Sequence, residues 1–114
     1  EKDANWFVNA FNFEIINDEV RSVGDRFIMC QSEDGFRVNI SGERTNETLG
    51  PSDADPHYGL EHFGLDSDNL EEDISRLESL GATLAEGPME MPGIRIVFLK
   101  TPGDVRIELI QKVD

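Results

Sequence analysis

Residues 58–65 read Tyr58-Gly59-Leu60-Glu61-His62-Phe63-Gly64-Leu65, and residues 106–111 read Arg106-Ile107-Glu108-Leu109-Ile110-Gln111. The unit they bracket decides the fold. Alternation over residues 60–65 puts Leu60, His62 and Gly64 on one face of a strand and Glu61, Phe63 and Leu65 on the other. The same alternation puts Glu108 near the middle of the closing strand, opposite the strand's apolar residues. A His and a Glu on strands at the two ends of one unit have the chemistry for two legs of a metal site. Between them, Leu70, Ile74, Leu77 and Leu80 give a helical stripe. Asp68 or Asn69 caps it, Glu71 and Glu72 suit its first turn, and Gly81 ends it. Residues 82–86 form a short strand, Gly87-Pro88 a turn and residues 89–93 an apolar loop. Residues 95–100 and 105–111 close a hairpin around Thr101-Pro102-Gly103-Asp104.

Working outward, the first part of the chain repeats this plan. Trp6, Phe7, Ala10 and Phe11 suit a short helix over residues 2–11, with Asn12 as a left-handed stop. Residues 13–17 and 26–31 read as strands, and Ser32-Glu33-Asp34-Gly35 as a hairpin turn. Residues 36–41 form the return strand, with Phe36, Val38 and Ile40 on its apolar face and Arg37, Asn39 and Ser41 on the other. The aromatics Trp6, Phe7, Phe11 and Phe13 read as core. Residues 42–57 are polar and rich in turn formers, a connector. Sliding the chain by 69 residues lays Gly24 on Gly93, Arg26 on Arg95 and Arg37 on Arg106. It also lays Asn39 on Glu108, and it leaves the strand that carries His62 without a counterpart.

Composition bounds the function. The chain has 114 residues and a formal net charge of −14, from 24 acidic against 10 basic side chains. That charge repels nucleic-acid backbones and anionic membrane surfaces, so neither is expected as a partner. Cys30 is the single cysteine, which leaves no disulfide framework. No stretch has the length and apolarity of a membrane span, and a cytoplasmic location is the expectation.

The run from His62-Phe63-Gly64-Leu65-Asp66 through Leu80-Gly81-Ala82, Glu86-Gly87-Pro88, Pro92-Gly93, Arg95-Ile96-Val97-Phe98, Pro102-Gly103 and Arg106-Ile107-Glu108-Leu109-Ile110 resembles the second half of a vicinal oxygen chelate domain. That is the superfamily of glyoxalases, bleomycin resistance proteins and extradiol dioxygenases. Residues 4–41 resemble the first half more loosely. The resemblance implies an α+β fold, with paired βαβββ modules forming curved mixed sheets around a cleft. It divides the domain into a first module over 1–41 that lacks its first strand, a connector over 42–57 and a second module over 58–114. It implies a divalent metal (zinc, nickel, manganese or iron) held by His62 and Glu108, with Asn39 as a weaker ligand because an amide oxygen is a poorer donor than a carboxylate. Glu108 would then be ligand, catalytic base or both.

Two functions fit. One is a metal-dependent lyase or isomerase acting on a small carbonyl or oxygenated substrate. The other is a metal-free protein that sequesters a small molecule, as bleomycin resistance proteins do. Bland roles stand beside these. A strand histidine often serves as a hydrogen-bonded structural residue, Glu108 could pair with Arg106 or Arg37, and His57 reads as a solvated loop residue. A sheet without its end strand exposes backbone donors and acceptors, so a homodimer is expected.

Overall fold

The computed structural model describes residues 1–113. The chain divides into two compact units, Glu1–Pro51 and a second that begins at Ser52. The first unit runs α1 (Lys2–Phe11), β1 (Glu14–Val20), β2 (Arg26–Gln31) and β3 (Arg37–Ser41). Its three strands pair antiparallel in the order β1-β2-β3. Ala4, Phe7 and Ala10 of α1 are buried, together with Phe13, Ile28 and Cys30. Phe7 and Phe13 stack at 5.5 Å. Trp6 and Phe11 pack edge-on at 5.9 Å and are half-buried, so the aromatic cluster reaches the surface instead of lying wholly in the core. Phe36 is 49% exposed and precedes β3, because it closes the turn from Ser32: the Phe36 amide donates to Ser32 Oγ at 2.9 Å.

The second unit runs β4 (Phe63–Asp66), α2 (Leu70–Ser79), β5 (Thr83–Met91), β6 (Ile94–Lys100) and β7 (Arg106–Lys112). Its sheet has the order β4-β7-β6-β5, with β4 parallel to β7 and the other pairs antiparallel. Val97, Leu99, Ile107 and Leu109 alternate onto one face and are fully buried, as are Leu70 and Leu77 of α2. Each such side chain contributes on the order of 1.5–3 kcal/mol of transfer free energy. Asn69 caps α2, its side chain accepting from the Glu72 amide. At the other end Gly81 takes φ +96°, a left-handed conformation that glycine adopts without a Cβ penalty. Ile74 is half-buried and Leu80 is 36% exposed, so the helix's apolar stripe is narrower than its spacing suggests.

Two sequence expectations are corrected. The first strand of this unit spans four residues and not 60–65. Its ladder begins at Phe63↔Ile107, and β7 itself begins only at Arg106, so residues 60–62 have almost no strand left to pair with. Leu60 is accordingly 94% exposed. Of residues 89–93, the first three are strand and only Pro92-Gly93 is a turn. β5 continues through Gly87-Pro88, absorbs an irregularity between Glu86 and Met89, and pairs on through Met91↔Ile94. Pro is tolerated there because β5 is an edge strand and Pro88 falls where the register shifts.

The 69-residue repeat is visible in the ladders. Ile28↔Ile40 becomes Val97↔Leu109, and Met29↔Asn39 becomes Phe98↔Glu108. The bulge between Ile15 and Asn17 recurs between Leu84 and Glu86. The turn recurs too: Ser32 N–H bonds Phe36 C=O as Thr101 N–H bonds Val105 C=O, and Gly35 and Asp104 share positive φ. The helices follow a different offset. The carbonyl of buried Phe7 accepts from Phe13 N–H as that of buried Leu77 accepts from Ala82 N–H, a spacing of six against five. The gapless slide therefore holds for strands and turns, while the helical stripes match only after one residue is inserted.

Candidate functional site

The face of the second sheet opposite Ile107 and Leu109 carries the predicted residues. Glu108 pairs with Gly64 on β4 and with Phe98 on β6, so these three positions share a face. His62 precedes β4 by one residue, and its ring meets the Phe98 ring edge-on at 5.1 Å. The second unit thus brings His62 and Glu108 to one face, on either side of Gly64. A Cβ at Gly64 would lie 3.4 Å from Glu108 Oε1 and 3.0 Å from Ile110 Cδ1. Glycine is what keeps the space beside the Glu108 carboxylate open.

Around this pair lie Arg106, which the sequence offered only as a partner for Glu108, and Glu61 and Glu86, to which it gave no role. Arg106 is 5% exposed, and its guanidinium sits 4.6 Å from the centre of the Phe98 ring. Its Nη2 donates to Glu86 Oε2 at 3.1 Å, and its Nε lies 3.7 Å from Glu61 Oε2. Glu61 Oε1 in turn pairs with His62 Nδ1. Arg106 therefore pairs with Glu61 and Glu86, and the expected partner Glu108 keeps its carboxylate clear of any hydrogen bond or ion pair among the described residues. The available signal was alternation: Arg106, two residues before Glu108, had to share its face.

Asn39 lies on exposed backbone of β3 in the first unit, opposite Met29, at the ladder position that Glu108 holds in the second. His57 is an exposed loop residue whose Nδ1 meets the Asp55 carbonyl at 2.8 Å; that contact holds its pKa above the ordinary histidine value. Lys100 Nζ to Asp55 at 2.6 Å and Ser52 Oγ to the Gly103 carbonyl at 3.2 Å tie the end of the connector to the second unit.

Imidazole and carboxylate are suitable donors for a divalent transition metal, and Gly64 places no side chain beside the Glu108 carboxylate. His62 and Glu108 fit as part of such a site. Among the described residues no three His, Cys, Asp or Glu side chains converge as a metal-holding group.

The Glyoxalase/Bleomycin resistance protein/Dioxygenase superfamily matches residues 1–109, and the chain belongs to that family. No curated protein matches it in sequence. Many solved structures share its fold, three of which illustrate the range. A glyoxalase family protein from Bacillus cereus is 18% identical, with a TM-score of 0.83 over 100% of this chain and 88% of that one. The antibiotic-binding protein TnmS3 from Streptomyces sp. CB03234 is 21% identical, with a TM-score of 0.63 over 96% and 84%. The fosfomycin resistance protein FosX from Listeria monocytogenes, solved with Mn(II) and sulfate, is 18% identical, with a TM-score of 0.68 over 98% and 82%. No helix among the described residues is long and apolar enough to cross a membrane.

Proposed function

We propose that this chain acts on a small carbonyl or oxygenated molecule at the Glu108 face of its second unit, as a divalent-metal-dependent lyase or isomerase. His62 Nε2 and the Glu108 carboxylate are the ligands it contributes. One observation carries the reading. The two donors flank Gly64 on one sheet face, and among the described residues neither Nε2 nor the carboxylate is committed to another protein group. A divalent cation bound there would supply Lewis-acid polarisation of a substrate oxygen. The chain's own residues would do the rest. Phe98 offers an apolar wall that limits water, and the Glu108 carboxylate is the group available to accept and return a proton at the neighbouring carbon. Asn39, an amide at the equivalent ladder position of the first unit, carries the oxygen donor that the resemblance assigns to that unit. Self-association is supported by β3, which among the described residues pairs only with β2 and keeps an open edge.

A metal-free binding role is the second reading. It is favoured by the count of donors that the described residues of the second unit bring to this face, two in place of the three protein ligands usual at a catalytic site. The likeness to TnmS3 makes such a role a natural alternative.

Elemental analysis after loading with manganese, nickel, zinc or iron decides between them. About one equivalent of one of these per chain, lost in both His62→Ala and Glu108→Ala, supports the first reading. Background levels in the folded wild type would end it. Saturable binding of an aromatic ligand in the presence of chelator would then support the second.

A further inference from the structure

Resting on the reading of His62 as a ligand, we propose that Glu61 is a positioning residue. It accepts the Nδ1 proton of His62, is itself braced by Arg106, and so leaves Nε2 bare and aimed for a cation. The geometry consists of three linked contacts. Glu61 Oε1 pairs with His62 Nδ1, Glu61 Oε2 faces Arg106 Nε at 3.7 Å, and Arg106 Nη2 reaches Glu86 at 3.1 Å. Both Glu61 Oε2 and Arg106 Nε are buried without a hydrogen-bond partner of their own among the described residues. Each is the other's nearest source of satisfaction, and leaving either unmet carries a desolvation cost. The charge pair with Arg106 restrains the Glu61 carboxylate beside the imidazole. Phe98 completes the arrangement, with the His62 ring edge-on at 5.1 Å and the Arg106 guanidinium at 4.6 Å on the same ring.

The chemical consequence follows from the two ring nitrogens. A neutral imidazole whose Nδ1–H is donated to a carboxylate has its lone pair on Nε2, and the hydrogen bond raises the basicity of that lone pair. Without the carboxylate, the proton is free to sit on Nε2, where it blocks coordination. Glu61 touches neither substrate nor cation in this scheme. It acts through His62.

The test uses the full chain and two readouts. Long-range proton–nitrogen NMR of the metal-free protein, at a pH where His62 is neutral, reports which nitrogen carries the proton; a His57→Gln variant assigns the two histidines. Wild type is expected to show His62 as the Nδ1–H form. Glu61→Ala should shift it toward Nε2–H, and Glu61→Gln, whose amide oxygen still accepts, should retain it. Arg106→Lys, a point charge in place of a fork, should give an intermediate population. Titration with Mn(II) should show about a 10- to 100-fold loss of affinity in Glu61→Ala and less in Glu61→Gln. If the tautomer moves as expected but wild type binds no Mn(II), the metal reading fails and the positioning role stands. If wild type binds Mn(II) and the tautomer of Glu61→Ala is unchanged, the positioning role is overturned whatever happens to affinity. If neither expectation holds, both fall.

Discussion

Strands β3 and β7 occupy the same place in two copies of one ladder, yet they differ in what they bury. Along β7, Arg106, Ile107 and Leu109 are buried; along β3, no residue is. The pairing explains the difference. β7 has β6 on one side and parallel β4 on the other, while β3 has β2 alone. A strand between two neighbours has its backbone satisfied on both edges and its side chains walled in on both sides. The site residues follow the same division. Glu108 lies beside β4, with Phe98, Arg106 and His62 around it, whereas Asn39 pairs across to Met29 on an exposed strand. A duplicated ladder can thus keep its register while only one copy retains the surroundings that make a carboxylate useful.

The comparison predicts unequal costs at equivalent positions. Leu99 and Cys30 are 69 residues apart, and both are fully buried. Leu99→Ala should cost about 2–5 kcal/mol in urea unfolding, because it removes three heavy atoms from the denser sheet. Cys30→Ala removes one atom and should cost about 1 kcal/mol or less; an equal loss would mean that the first core is the more demanding per atom removed. At the site, Glu108→Ala should abolish divalent-metal binding, and Asn39→Ala should weaken it only a few-fold, read by calorimetric titration. A larger effect at Asn39 would reverse the ranking of the two units.

Smaller effects sharpen the contrast between the helices. Gly81→Ala places a Cβ 3.1 Å from Pro102 Cγ at φ +96°, and should cost about 1–2 kcal/mol. Asn12→Gly, at the equivalent stop with φ 57°, should be neutral or slightly stabilising by a few tenths of a kcal/mol. Asn69→Ala should cost about 1 kcal/mol through the lost cap on Glu72 N–H.

Acid supplies the last test. The Arg21 guanidinium beside Asp25 holds its carboxyl below the ordinary range, and Lys100 does the same for Asp55. A depressed folded-state pKa means stability that is present above the unfolded value and lost as the pH falls through the folded one. Stability should therefore decline below about pH 4. Asp25→Asn should flatten part of that decline, as measured by urea midpoints across the acid range. An unchanged slope would show that the Arg21–Asp25 pair contributes nothing to acid sensitivity.

The α+β class, the helix stops at Asn12 and Gly81, the Asn69 cap and the strand repeat were legible in the sequence, because each rests on local chemistry. Left-handed stops need Asn or Gly, caps need a short acceptor, and alternation needs only period two. The same alternation placed Glu108 opposite Ile107 and Leu109. Tertiary pairing decided the rest. The extent of β4 depends on where β7 starts, and the continuation of β5 through Pro88 depends on its lying at a sheet edge. The link Arg106–Glu61–His62 joins residues 44 and 45 positions apart in the chain. No local preference encodes such a contact. It exists because β7 lies beside β4 and brings a buried arginine to the side chain that precedes the histidine.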